Sequence, residues 1–413
     1  MSEQHPDPSE QAYAAWLRER LERYRGGPVD EDVPLTSQGL DSVAALNLYG
    51  DIEEEFGPLL DPTDLWEYPT VSALARCLAS RDTHPGSLNQ VRAAFVFAGQ
   101  GAQHPFMAAG LYREHTAYRT HLNEACEALL PYTGLSVVDM MLGGDLRIHR
   151  TAFTQPAVFA VEYAMGRCLE DAGVLPVAVL GHGIGEFAAA TVAGALTLDD
   201  AAKLVALRGA FMQYLPSGGG MMATCATPEE AARLMRNEPG VGIGAVNAAR
   251  ATVLSGDDAG LERIRAALEA RGIACRRLAV THAFHSPQME PMVPRFEAVA
   301  RRLPGTAARV PFYSTVRGRF TTEPLYGPYW AEHITAPVRF AETARLLLDQ
   351  QTPTHVVEIG PRTILTPFVR RMGGTAGPVC LSACRGPQTG ALHFADMLVE
   401  LGASPFASSF AGA

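Results

Sequence analysis

The chain changes its hydrophobic rhythm twice. In its first 80 residues, apolar positions recur every three to four residues in "YAAWLRERLERY", "DSVAALNLYGDIEEEFG" and "PTVSALARCLAS". That period predicts amphipathic helices, and the polar, proline-bearing stretches between them predict a small bundle. The polar run "SRDTHPGSLNQ" around Pro85 and Gly86 then predicts a linker. The expected division is a helical domain over 1–82, a linker over 83–90 and a larger domain over 91–413.

Beyond the linker, short apolar runs alternate with helical ones. "AAFVFAGQG" reads as a strand ending at glycines, "QPAVFAVEYAMGRCLEDAG" as a helix closed by Gly173, and "LDDAAKLVALRGAFMQYL" as a second helix. Asp199 and Asp200 sit in the first turn of that helix, where its dipole favours them. The alternation predicts an open, mostly parallel α/β sheet. From about 217 to 280 the order becomes β-α-β-β-α-β, the pattern of a ferredoxin-like insertion. An insertion beside such a core makes a cleft suited to a ligand. The main sheet is expected to resume with "HVVEIG" near residue 355.

One corner stands out. "VLGHGIGEFAAA", residues 179–190, reads as strand, tight turn and helix, the setting of a nucleophile elbow. Gly183 occupies the position where a nucleophile belongs. Gly181, Gly183 and Gly185 alternate as G-x-G-x-G, which is not the G-x-G-x-x-G of dinucleotide sites. No acidic residue closes a following strand at the required distance, so a dehydrogenase is excluded.

Composition narrows the classes. A length of 413 residues predicts two or three domains, and 47% hydrophobic with 19% charged residues is ordinary for a globular protein. A net charge of -10 argues against nucleic-acid binding. The seven cysteines form no C-x-x-C pair. Cys380 and Cys384, the nearest two, read as a coincidence of helical spacing, and no metal site is expected. The polar N-terminus and the lack of an apolar run of about 18 residues predict a cytoplasmic protein with reduced thiols and no membrane contact.

Ser42 follows Asp41 at a predicted helix start, where either residue alone is ordinary capping chemistry. Asp51 and Glu53 to Glu55 alone read as a solvated face. Together, Gly39-Leu40-Asp41-Ser42 and the amphipathic, acidic helix after it resemble an acyl carrier protein over about residues 10–80. Val43 replaces the commoner leucine. The resemblance implies a 4'-phosphopantetheine arm on Ser42, installed by a phosphopantetheinyl transferase, and an acidic helix read by partner enzymes. An arm is needed because no side chain carries a thiol across roughly 20 Å.

The larger domain resembles the malonyl-CoA:acyl-carrier-protein transacylase family, including the acyltransferase domains of polyketide synthases. The resemblance rests on "FAGQGAQ" (97–103), "FTQPAVFAVEYA" (153–164), "GHGIGE" (181–186), "LVALRGAFMQ" (204–213) and "THAFHSPQM" (281–289), with "YWAEHITAPVRF" and "VVEIGPRTIL" following in order. It spans about 88–400. The implied fold is an N-terminal helical-bundle carrier domain, then an α/β-hydrolase-like acyltransferase core with an inserted ferredoxin-like subdomain.

Acyl transfer through a covalent intermediate requires a nucleophile, a base and donors for the oxyanion. The family's pattern maps the base to His285 and the oxyanion donors to the backbone N–H groups of Gln100 and Ile184. It maps a carboxylate clamp to Arg208, because a planar guanidinium holds a carboxylate through two parallel bonds. Gln155, His182, Phe284 and Asn247 are placed at the substrate. His282-Ala283-Phe284-His285 resembles the tetrapeptide of malonyl-selective members. Phe284 there crowds an α-methyl branch, a discrimination of only about 1–3 kcal/mol. Ala98 and the alanines of "VNAAR" depart from the family pattern tolerably.

Gly183 is a larger departure, because it closes the route through an acyl-serine. Three accounts follow: a transferase whose serine was deliberately replaced, a natural variant that binds without turnover, and an enzyme that transfers the acyl group directly. The implied reaction moves a malonyl-type group from CoA (or a related acyl-CoA) to a phosphopantetheine thiol, with partner carrier proteins or a ketosynthase as neighbours. The alternative is a non-catalytic protein that recruits or presents acyl groups to synthase subunits.

Overall fold

A computed structural model describes residues 8–38, 42–56, 59–60, 64–82, 91–374 and 377–403. The chain divides into two compact units, Met1–Gln90 and Val91–Ala413. The expected linker 83–90 and the residues Gly39, Leu40 and Asp41 lie outside the described residues.

The first unit is helical, with helices Pro8–Arg25, Ser42–Phe56, Asp64–Glu67 and Val71–Asp82 and a 3-10 turn at Leu35–Gln38. Its core forms because leucines and isoleucine repeat at four-residue spacing: Leu17 with Leu21, Leu48 with Ile52, and Leu74 with Leu78, all buried. Asp51, expected on a solvated face, is half-buried. It accepts a hydrogen bond from Tyr24 Oη and lies 3.7 Å from Arg20 Nε.

In the second unit the strands, in chain order, are β1 Ala93–Phe97, β2 Ala178–Gly181, β3 Gly219–Thr224, β4 Val241–Ala248, β5 Ala251–Asp257, β6 Cys275–Arg277, β7 Phe312–Ser314, β8 Arg319–Thr321, β9 His355–Ile359 and β10 Val379–Ser382. They form two sheets. The main sheet has the order β10-β9-β1-β2-β7-β8, parallel except for the β7–β8 hairpin. β1, β2 and β9 are buried at every position, which accounts for the unbroken apolar runs of β1 and β2; β9 also buries His355 and Glu358, the latter accepting from the backbone N–H groups of Ile364, Leu365 and Thr366. The main sheet therefore resumes at Phe312, not near 355. Cys380 lies on strand β10, so its spacing to Cys384 is not helical, and all seven cysteines are free thiols.

The second sheet has the antiparallel order β4-β5-β3-β6 with helices Pro228–Met235 and Asp258–Glu269. This is the ferredoxin-like β-α-β-β-α-β unit. It is tied to the core by the 337–340 segment: Val338 N donates to Gly244 O and Val246 N to Val338 O, each at 2.9 Å. Strand β4 thus reaches the same loop that carries Ala336.

At the corner after β2, the three alternating glycines have different reasons to be glycine. A Cβ at Gly181 would come within 2.3 Å of Glu186 N, and one at Gly185 within 2.2 Å of Ala98 O. Both positions pack backbone on backbone. Gly183 is free of such crowding but holds a left-handed backbone with φ +54°.

Candidate active site

Parallel strands present their carboxyl ends to a crevice, and the loops after β1 and β2 meet there. The elbow after β2 aims residue 183 toward His285. A Cβ built on Gly183 lies 3.3 Å from His285 Nε2, with no other heavy atom of the described residues within 4 Å apart from chain neighbours.

His285 is itself left-handed, with φ +56°. Its Nδ1–H donates to Ala336 O at 2.8 Å, which leaves the Nε2 lone pair facing position 183. Burial, and secondarily the charge of Arg208, lower its pKa to about 3, so the ring is neutral at physiological pH. That is the protonation state a general base requires.

Arg208 lies on helix Leu198–Gln213 and is 2% exposed. Its Nη2 donates to His333 Nδ1 at 3.4 Å, and its Nε–H has no partner among the described residues. Among the described residues no carboxylate forms a salt bridge with it. Burial lowers its pKa to about 9, partly opposed by Glu186, so it remains charged. A buried guanidinium with an unmet donor is costly, unless a ligand supplies the missing anion.

His333 links the two. Its Nε2–H donates to Gly183 O at 2.9 Å while its Nδ1 accepts from Arg208. One ring therefore joins the elbow backbone to the guanidinium. The stretch "YWAEHITAPVRF" contains it but assigns it no role: His333 sits three residues after Trp330 on an apolar helix face and reads as core. Glu186 in the first turn of helix Gly185–Val192 is fully buried. Its carboxyl receives Thr315 N at 2.5 Å, Thr315 Oγ1 at 2.6 Å and Tyr329 Oη, which pin the elbow helix to the loop after β7 and to helix Gly327–Thr335. Burial raises its pKa to about 7.

The remaining expected residues gather around this centre. Gln155 is buried, donates to Gln100 Oε1 and Met212 Sδ at 3.3 Å each, and has an unmatched Oε1. His182 Nε2–H donates to Asn247 Oδ1 at 2.9 Å, so the inserted subdomain touches the elbow. Phe284 is buried, and its carbonyl accepts Ser255 Oγ of β5 at 2.6 Å. Ile184 precedes the elbow helix. The backbone N–H groups of Ile184 and Gln100 make no hydrogen bond among the described residues. Among those residues no group of His, Cys, Asp or Glu is placed to hold a metal ion. No described helix is long and apolar enough to cross a membrane.

The acyl transferase domain family matches residues 94–385, and the phosphopantetheine attachment site family matches residues 15–78. The chain belongs to the acyl transferase domain family. Polyketide synthase GfsB of Streptomyces halstedii is 39% identical over 310 residues, 74% of this chain and 5% of that protein. The phenolphthiocerol synthesis polyketide synthase Pks15/1 of Mycobacterium marinum is 38% identical over 295 residues, 70% of this chain and 14% of its own length. The chain thus spans a small part of these relatives. The crystal structure of the acyltransferase domain from the second module of the salinomycin polyketide synthase has a TM-score of 0.72 at 34% identity, covering 82% of this chain and 84% of that one. FabD from Acinetobacter baumannii has a TM-score of 0.69 at 25% identity, covering 76% and 98%.

The attachment-site family makes the first unit a phosphopantetheine-bearing domain, and the order of the two units is the carrier–acyltransferase architecture of polyketide synthases. The helix that opens at Ser42 fits that group. Ser42 is its sole serine or threonine, and a phosphodiester needs such a hydroxyl. The Ser42 side chain itself is outside the described residues.

The buried rings of the acyltransferase unit set a pH dependence. Burial holds His182, His285 and His333 below the ordinary value of 6.5. Below that value the unfolded chain takes up protons that the folded chain refuses, so stability is complete above it and lost as pH falls. Buried Glu186 and Glu162, held above the ordinary carboxyl value, act in the opposite sense, so the rings are checked directly: by NMR their ring-proton shifts in the folded protein should stay constant from about pH 7.5 down to about pH 5. A ring that titrates in that window would contradict its assigned burial.

Proposed function

We propose that this chain moves a malonyl-type acyl group from coenzyme A to a phosphopantetheine thiol, on Ser42 or on a partner carrier, in polyketide assembly. The observation that supports it is the buried Arg208, short of an anion, one imidazole away from the elbow that faces His285.

Arg208 holds the free carboxylate of the acyl group, and Phe284 bounds the pocket on the side of an α-substituent. The N–H groups of Gln100 and Ile184 stabilise the oxyanion that forms on the thioester carbonyl. The phosphopantetheine arm supplies the acceptor thiol. His285 Nε2 takes the proton of the acceptor and returns it to the departing CoA sulfur. With Gly183 in place, the exchange is a single displacement and lacks the acceleration of an acyl-enzyme.

Intact-mass measurement on phosphopantetheinylated protein mixed with malonyl-CoA tests this. A malonyl mass gain on the unsubstituted chain, absent in Ser42→Ala, is the expected result. No gain on the arm or on added carrier proteins would leave the second reading, a carrier-presenting protein without turnover, which the absent side chain at 183 favours.

A further inference from the structure

We propose that the acyltransferase unit is also a thioester hydrolase for carboxyacyl-CoA, with a water molecule taking the place of the missing serine oxygen. This rests on the reading that the pocket accepts such thioesters.

Beside Gly183 the side-chain direction is open: among the described residues, His285 Nε2 at 3.3 Å from the Cβ position is the only heavy atom within 4 Å, chain neighbours aside. A serine would fill this spot with its own carbon and oxygen, and glycine leaves it to solvent-sized molecules. The spot is polar where it matters. His285 offers a lone pair at Nε2, because its Nδ1–H is held by Ala336 O. The donors assigned to the oxyanion, Gln100 N–H and Ile184 N–H, are unengaged among the described residues. A water with one strong acceptor, beside a carbonyl polarised by two donors, is set for attack.

The step balances without any further reactant. One water proton passes to His285 Nε2 as the water oxygen bonds to the thioester carbonyl carbon. The tetrahedral oxyanion collapses, the carbon–sulfur bond breaks, and the imidazolium proton goes to the CoA sulfur. The products are a free dicarboxylic acid and CoA thiol. Arg208 restricts the reaction to acyl groups carrying a carboxylate, because acetyl groups leave its Nε–H unmet.

Full-length chain carrying Ser42→Ala, which has no arm to accept the acyl group, is mixed with malonyl-CoA in water enriched in oxygen-18. CoA release is read with a thiol reagent, malonate by mass, and malonyl-CoA binding by calorimetry. The expected result is one heavy oxygen per malonate and release about 100-fold faster than in the same chain with His285→Gln, the size of a general-base contribution. Gly183→Ala in the Ser42→Ala chain should also abolish release while binding persists, since a methyl carbon stands where the water must approach. Equal release in the His285→Gln chain, or undiminished release in Gly183→Ala, overturns the proposal. Intact binding with no release overturns it alone, whereas absent binding overturns the carboxyacyl-thioester reading as well. A measurement on the unsubstituted chain guards against misfolded variants. Release catalysed by a neutral buried imidazole stays nearly level from about pH 8 to about pH 5, while attack by free hydroxide drops tenfold per unit, and the latter profile would also overturn it.

Discussion

Gly183→Ser is expected to raise malonyl transfer by about 10³- to 10⁴-fold and to produce a malonyl-enzyme detectable by intact mass. The reason is geometric. The backbone at 183 is already left-handed, with φ +54°, so the elbow does not have to form around the new residue. Its Cβ would stand 3.3 Å from His285 Nε2, so the ring must yield by a few tenths of an ångström. A hydroxyl on that carbon falls within hydrogen-bond reach of the lone pair. The left-handed serine costs about 1–3 kcal/mol of folding stability, strain of the kind stored at functional corners. A modest fall in Tm together with a burst of CoA release would therefore be the signature. Serine at 183 with an unchanged transfer rate and no acyl-enzyme would contradict the roles given to His285, Gln100 and Ile184.

Arg208→Met has the second largest expected effect, and its two readouts move in opposite directions. Loss of a charge-assisted, two-pronged hold on a carboxylate should weaken malonyl-CoA binding by about a hundredfold, near 3 kcal/mol. Acetyl-CoA binding should stay within a few-fold of its starting value. The folded state, in contrast, sheds a guanidinium that is 2% exposed and has an orphaned Nε–H, so Tm should hold or rise. Calorimetry with the two thioesters and a thermal melt check both halves. A fall in Tm with unchanged malonyl-CoA affinity would make Arg208 a structural residue.

Much of the fold was legible because long elements carry their own period. The buried strands β1 and β2 appear as apolar runs, and the inserted unit appears as a change in the order of strands and helices. β7 and β8 were not legible. Each is three residues long, too short for any periodicity, and Arg319 and Phe320 of β8 are exposed. The candidate site divides in the same way. His285, Arg208 and Gly183 lie in separate stretches whose resemblance to one family assigned them together. His333 was missed because its meaning lies in a backbone carbonyl 150 residues away, which no local pattern encodes.

The ties between the inserted subdomain and the core bear on how such a domain can be re-engineered. β5 grips the carbonyl of Phe284 through Ser255, while β4 is laced to Val338, two residues beyond the carbonyl that orients His285. Exchanging only residues 282–285 between homologous domains alters the wall of the acyl chamber and leaves its hinges alone. A chimera cut inside 241–257 would instead detach the scaffold that aims the imidazole, and would lose turnover toward every acyl donor rather than change its preference among them.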